Sequence, residues 1–286
     1  MRFKKITELK FIIQSKCFQI YNDGILRAPH KWWQHIYVIY HWTIFEQLLF
    51  LINFAATLAF SIYGFINHEF VGAGTPALDY VVATISLVGN ITDIMSIILG
   101  SKKRISTFSW GFVACITLGI VSYIMGTIGT AIVYIVIQMP MQFVGFYLWR
   151  RNSVNKIQII PKRMRWWVIL LIIMITAGLT TGFYFLQRLP AFYNFFHGSE
   201  EIHNQGELIL DSLNLILGIV GIALMVMVFR EQWIVWIIFN ISNLTLFSFP
   251  DNLQPQMITL SLTALINSFY GVWNWRHDTK IKRYEV

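Results

Sequence analysis

Apolar stretches about as long as a bilayer is thick recur along this 286-residue chain, and the charged residues sit mostly between them. An α-helix rises 1.5 Å per residue, so crossing a hydrocarbon layer takes about 20 apolar residues. Eight stretches qualify: 45–66, 79–99, 105–124, 127–149, 167–186, 208–229, 231–248 and 255–275. Hydrophobic residues make up 56% of the chain and charged residues 13%, against about 25% charged in a soluble domain. That composition excludes a soluble globular fold. It also excludes disorder, collagen and coiled coil, each of which needs polar, Gly/Pro-rich or charge-rich sequence. The expected fold is an all-α membrane protein with eight transmembrane helices, and the 16% aromatic content suits a chain with two membrane interfaces.

The net charge of +8 raises the question of nucleic acid, and the position of the charges answers it. With alternating spans, every Lys and Arg except Arg188 falls on one side: the N-terminal arm, Lys102–Arg104, Arg150–Arg165, Arg230 and the tail. The opposite side holds Glu69, Asp79, Glu200, Glu201, Glu207 and Asp251. This bias orients membrane proteins with their basic loops inside, so both termini are expected in the cytoplasm and the number of crossings is even. A nucleic-acid partner would need a basic stripe on a folded face, and none is expected. Residues 1–44 form a cytoplasmic arm ending in an aromatic patch, Trp32, Trp33, Tyr37, Tyr40 and Trp42, which fits a segment lying on the inner leaflet. The arm has no apolar core of the kind a signal peptide needs. Thr43 precedes Glu46 by three residues, a capping-box spacing. Two cysteines, Cys17 and Cys115, are too few for a disulfide framework. The seven histidines show no metal-binding spacing, so no metal, cofactor or catalytic residue is assigned.

The ends of the fourth and eighth spans resemble each other. Phe143, Gly145, Trp149 and Arg150 recur 126 positions on as Phe269, Gly271, Trp275 and Arg276, and the same offset carries Trp110 onto Trp236. A single offset serving two helix pairs points to an internal repeat. The expected layout is an additional helix (45–66), a three-helix repeat (79–149), a linker helix (167–186), a second three-helix repeat (208–275) and a cytoplasmic tail (276–286). Both trios would start outside and finish inside. Parallel repeats of this kind are a transporter design, with substrate held near midplane between the halves.

Polar side chains are costly in hydrocarbon and should face the interior. Trp233, Trp236, Asn240, Asn243 and Phe247 step by three and four, which puts them on one helix face. Tyr134, Gln138, Gln142, Gly145 and Trp149 form a second stripe, Thr259, Thr263, Asn267, Tyr270 and Asn274 a third. Ser86, Asn90 and Asp93 line another helix, and Asp211, Asn214, Gly218 and Gly221 a fifth. Amides, indoles and hydroxyls suit a neutral or singly charged molecule with a flat ring and sugar hydroxyls. A phosphate would call for Arg or Lys, absent inside the spans. The candidate substrate-binding set is Trp233, Trp236, Asn240, Asn243, Gln138, Gln142, Asn267, Tyr270, Asn90 and Tyr134. Such residues also serve as hydrogen-bonding glue between membrane helices, and both readings stand at this point. Asp93 and Asp211 are read as coupling or structural groups, Asp211 in the first turn of its helix, where a carboxylate meets the terminal amides. Gly218 and Gly221 are expected to permit close packing. A membrane enzyme would need convergent His, Asp, Glu or Cys. The spans hold only Glu46, Asp79, Asp93, Asp211 and Glu231 among acids, mostly at their ends.

On these residues the chain resembles the PnuC family of bacterial vitamin transporters. The features that match are the W-x-x-W-x-x-x-N helix (Trp233, Trp236, Asn240), Asp211 placed 22 positions before its first Trp, the Gly-to-Arg helix ends and the Gln-bearing span. The similarity covers about residues 79–280. It implies a full-length SWEET-like architecture in the bacterial cytoplasmic membrane, a homotrimer, and uptake of nicotinamide riboside by facilitated diffusion. A separate cytoplasmic kinase would trap the substrate for NAD biosynthesis without touching the transporter. In that picture Trp233, Trp236 and Asn240 hold the pyridine ring and its amide, and Gln138 and Asn243 serve the ribose. The chain departs from the family pattern at Ala114-Cys115-Ile116, where an Asn is common. That leaves thiamine, riboflavin or a SWEET-type sugar as alternative substrates. Residues 1–78 match no motif of the family.

Overall fold

Backbone N–H and C=O groups inside hydrocarbon must be satisfied within their own segment, which drives each apolar run into a helix. The computed structural model describes residues 42–67, 76–124, 131–152, 159–189, 191–192, 205–249 and 255–281. These residues form α1 (Ile44–Asn67), α2 (Pro76–Ser101), α3 (Thr107–Ile124), α4 (Met139–Asn152), α5 (Trp166–Gln187), α6 (Gln205–Val226), α7 (Gln232–Leu246) and α8 (Pro255–Ile281). Cys17, the arm residues Trp32, Trp33, Tyr37 and Tyr40, and the acidic Glu69, Glu200, Glu201 and Asp251 lie outside the described residues.

Eight spans of 18 to 23 residues were expected, and the helices vary more widely. Among the described residues five are long and apolar enough to cross a membrane: Ile44–Tyr63, Tyr80–Ser101, Thr107–Ile124, Trp166–Gln187 and Gln205–Val226. α4 has 14 residues and α7 has 15. α4 is entered without a break from a π-helical turn, Val133–Gln138, in which Met139 N–H bonds the Tyr134 carbonyl. Pro140 accounts for it. Its ring has no N–H to give and crowds the carbonyl one turn back, and a wider turn relieves both.

α2 packs along α3, α1 and α8, while α6 packs along α7, α5 and α4. The bends after α2 and α6 share one hydrogen-bond pattern. Lys102, Lys103 and Arg104 give their N–H groups to Ile98, Gly100 and Leu99 at 3.2, 3.0 and 3.0 Å. Met227, Val228 and Phe229 give theirs to Ala223, Met225 and Leu224 at 3.1, 3.0 and 3.0 Å. Each bend is a Schellman cap turning on one left-handed residue, Lys103 at φ 61° and Val228 at φ 67°. The bends correspond at an offset of 125 residues, from Lys103 to Val228, and α4 and α8 correspond at 126, from Gly145 to Gly271. Counted from the bends, Phe108 matches Trp233; the expected pairing of Trp110 with Trp236 follows the offset of α4 and α8.

The matched residues do matched work. A Cβ on Gly145 would collide with the Phe108 ring, and one on Gly271 would lie 2.5 Å from the Trp233 indole. Trp149 is edge-on to Phe108 with ring centroids 4.7 Å apart, and Trp275 is edge-on to Trp233 at 5.8 Å. Trp149 Nε1 donates to the Met225 carbonyl at 2.9 Å, in the last turn of α6 where the bend begins. Trp275 Nε1 donates to the Gly100 and Ser101 carbonyls in the last turn of α2, at 3.3 and 3.2 Å. These rings, with Ile105, Ile159, Ile222 and Val228, make one buried cluster at the basic end of the bundle.

The capping box at α1 is present: Thr43 N–H meets Glu46 Oε2 at 2.7 Å and Glu46 N–H meets Thr43 Oγ1 at 3.3 Å. Trp42, expected in an interfacial patch, is instead buried against α1 and α2, its ring edge-on to Phe50. Glu46, Asn53, Thr57 and Ser61 are fully buried on one face of α1. That face meets α8 through Asn53 to Thr263 (3.3 Å), Gln256 to Ser61 (3.4 Å) and the Tyr270 hydroxyl to Glu46 (2.8 Å).

Candidate functional site

The interior polar groups gather where α2, α3, the π turn and α6 meet. Cys115 on α3 sits between two amides of the next segment: its Sγ donates to Gln138 Oε1 at 3.9 Å and accepts from Gln142 Nε2 at 3.8 Å. Asp93 on α2, partly buried, lies within electrostatic reach of both Cys115 and Tyr134. Gln138 Nε2 reaches across to Gly218 of α6, 3.8 Å from where a Cβ would stand. The stripe Tyr134, Gln138, Gln142, Gly145 and Trp149 stays turned inward through the π turn, while Ile135, Val136, Phe143 and Val144 are exposed.

α7 supplies the facing wall. Trp233, Trp236, Asn240, Asn243 and Phe247 are all buried or partly so, while Ile234, Ile238 and Ile241 point outward. Trp236 packs on Gly221, where a Cβ would come within 2.9 Å of the indole, and its ring stands perpendicular to that of Phe239 with centroids 5.4 Å apart. Asn240 spends both N–H donors inside the protein, on the Trp236 carbonyl at 2.7 Å and Ser268 Oγ at 3.3 Å. Its Oδ1 remains as the acceptor for anything entering from the interior. In the matched halves Cys115 occupies the place of Asn240 and Gln142 that of Ser268, so the same contact is made once with sulfur and once with an amide.

Several buried amide atoms have no partner: both ends of Asn214, and Oδ1 of Asn90 and of Asn267. Unpaired polar atoms at such depth are costly. Asn214 stands one turn before Gly218.

The structure separates other members of the candidate set from this cluster. Tyr270 is held in the α1–α8 seam, bonded to Glu46 and packed on Phe45 at 5.0 Å. Asn267 gives its amide to the Ile97 carbonyl at 3.1 Å. Trp233 belongs to the aromatic cluster at the basic end. Asp211 is not in the first turn of its helix, because α6 begins at Gln205 and Glu207 is its first-turn acid. The Asp211 carboxylate instead receives the Gln187 side chain at 2.8 Å, and Ser212 Oγ donates back to Gln187 at 3.3 Å. This network fastens α5 to α6. Gly221 fits its expected packing role, whereas at Gly218 a Cβ would make only ordinary contact with Phe239, 3.6 Å away. The sequence reading missed the π turn, which Pro140 announces, and the polar face of α1, which the seven-four-four spacing of Glu46, Asn53, Thr57 and Ser61 announces. Among the described residues no group of three His, Cys, Asp or Glu could hold a metal ion.

An all-helical membrane protein with several spanning helices and an interior of amides and indoles belongs to the class of small-molecule transporters. Residues 83–277 match the nicotinamide mononucleotide transporter family, and the chain belongs to that family. It is 26% identical over 196 residues to the nicotinamide riboside transporter PnuC of Haemophilus influenzae, covering 67% of this chain and 78% of that one. It is 24% identical over 230 residues to PnuC of Escherichia coli K12, covering 75% and 93%. A crystal structure of the vitamin B3 transporter PnuC superposes with a TM-score of 0.60 at 22% identity, covering 82% of this chain and 92% of that one.

Proposed function

We propose that this chain carries nicotinamide riboside across the bacterial cytoplasmic membrane by facilitated diffusion, with both termini in the cytoplasm. Two parallel helix trios, α2 to α4 and α6 to α8, joined by α5 and preceded by α1, rock about an interior site. A kinase inside the cell then traps the substrate. The matched bends and the reciprocal tryptophan bonds support the two-trio reading, and the names of the curated relatives support the substrate.

The observation that carries the site is Trp236 packed on Gly221 of α6, one turn along from Gly218, which Gln138 of the Gln138–Cys115–Gln142 run reaches. The indole is only partly buried. A cationic pyridinium ring gains from an indole face, its carboxamide N–H fits Asn240 Oδ1, and Gln138 with Asn243 takes ribose hydroxyls. Trp233 anchors the wall that presents Trp236. Among the described residues the cluster holds no Lys or Arg, so the unphosphorylated riboside suits it better than the mononucleotide.

Purified protein in liposomes should take up labelled nicotinamide riboside, with thiamine, riboflavin, glucose and the mononucleotide competing poorly. Aromatic stacking is worth about 1–3 kcal/mol per ring, so Trp236→Ala should weaken riboside binding by roughly tenfold. Uptake of glucose with no response to the riboside would replace this reading with a SWEET-type sugar carrier. Binding without uptake would make the chain a capture subunit.

A further inference from the structure

Apart from the interior cluster, a cleft of about 220 Å³ opens at the basic end of the bundle where α5, α7 and α8 converge. Arg163, Arg230 and Arg276 line it, together with Trp166, Ile169 and Ile234. From this cleft we infer a binding site for the phosphodiester headgroup of an anionic membrane lipid.

The site is built, not left over. The segment before α5 is clamped to the bend after α6: Lys162 N–H bonds the Val228 carbonyl at 2.9 Å, and Arg230 N–H returns to the Lys162 carbonyl at 3.1 Å. That pairing fixes Arg163 beside Arg230. Glu231, the acid in the cleft, is already occupied. Its Oε1 takes Arg230 Nε at 3.1 Å and its Oε2 takes Met164 N–H at 3.2 Å. Glu231 thereby aims the Arg230 fork and leaves the cleft with a surplus of positive charge. The N-terminal end of α5 opens at the same place and has no side-chain cap bond, whereas the first N–H groups of α7 are taken by Phe229, Arg230 and Glu231. Backbone N–H groups and guanidinium forks together are what a phosphate oxygen needs.

The surroundings select a lipid over a soluble anion. Trp166 is 74% exposed and Ile234 48% exposed, and the apolar face of α5 below Trp166 is bare of protein contacts along most of its length. A phosphate seated on the arginines thus has an apolar track for its acyl chains leading straight from it. Exposed indole and arginine at one level are the arrangement of a membrane interface, and basic pockets between helices at that level take anionic headgroups.

The test is thermal unfolding of the full chain in a zwitterionic detergent, titrated with phosphatidylglycerol, phosphatidylcholine or inorganic phosphate. Phosphatidylglycerol should raise the melting temperature saturably and phosphatidylcholine should not. Arg163→Gln, a change at an exposed side chain, should weaken the phosphatidylglycerol response about fivefold. Arg188→Gln, at the far end of α5, should leave it unchanged. Equal responses to the two lipids, or equal losses in the two variants, would overturn the inference. Saturable stabilisation by inorganic phosphate that Arg163→Gln abolishes would also overturn it, in favour of a soluble anion.

Discussion

Gly218 and Gly221 lie one turn apart on α6, yet only one of them needs to be glycine. Alanine at 221 must push the Trp236 indole, 2.9 Å from the new methyl, whereas alanine at 218 meets Phe239 and Gln138 at ordinary contact distance. Gly221→Ala should therefore weaken riboside binding by about as much as Trp236→Ala. Gly218→Ala should leave riboside binding unchanged and raise stability by up to about 1 kcal/mol, the helix-propensity gain of alanine over glycine. Calorimetric titration and thermal unfolding of the two variants check this. Residue roles were legible from sequence where they are local. The Thr43–Glu46 capping box closes within one turn, so its spacing is enough to find it. Asp211 was misplaced because Gln205, Gly206 and Glu207 extend α6 past the edge of the apolar run, and three residues turn a first-turn acid into a partner for Gln187. Periodicity put Trp233 and Trp236 on one face correctly, but it carries no information about what each ring meets at its own depth.

Helix α1 lies outside the part of the chain that matches the family, and its fastening is polar. Glu46 is fully buried and is held by Lys102 Nζ at 2.6 Å as well as by Tyr270. Removing one member of a buried pair leaves the other charge without its counterion, at a cost of about 3 kcal/mol. Glu46→Gln should lower unfolding stability in detergent by that order. Lys102→Met should cost as much, since it leaves the fully buried Glu46 carboxylate without its counterion. Burial pushes the Lys102 ammonium below its ordinary value of 10.5, with Glu46 opposing the shift. The folded chain therefore sheds this proton at lower pH than the unfolded chain, so the group's contribution to stability rises as pH climbs through that interval towards 10.5. Lys102→Met should flatten that slope in melts run between pH 8 and 10. At this scale sequence found each of the helices α1 to α8, because apolar runs between charged connections are hard to mistake. It failed on their lengths. Hydropathy does not register that Pro140 forces a π turn, or that Gln256, Thr263 and Tyr270 on α8 are there to receive α1.

Across the whole molecule the two halves hold each other through Trp149 and Trp275. Each indole gives its N–H to the bend of the opposite half, so replacing either by Phe should cost about 1 kcal/mol. The rings stand 6.1 Å apart in one cluster, so the double variant should depart from the sum of the singles in an unfolding cycle. The likeness of α4 and α8 was legible in the sequence, where their Gly, Trp and Arg recur, whereas that of the two bends was not. Phe108 and Trp233 share a position without sharing a letter, and only the bends reveal the correspondence. The likeness also stops at the π turn. Pro140 has Ile266 at the matching place, in the uninterrupted helix α8. A π turn is wider than an α turn and changes the angle at which the side chains beyond it are set, and α8 has no equivalent. The two matching helices are thus near-twins of unequal pitch. On the proposed reading, a guest held between them meets two different surfaces, so its head and its tail are not interchangeable.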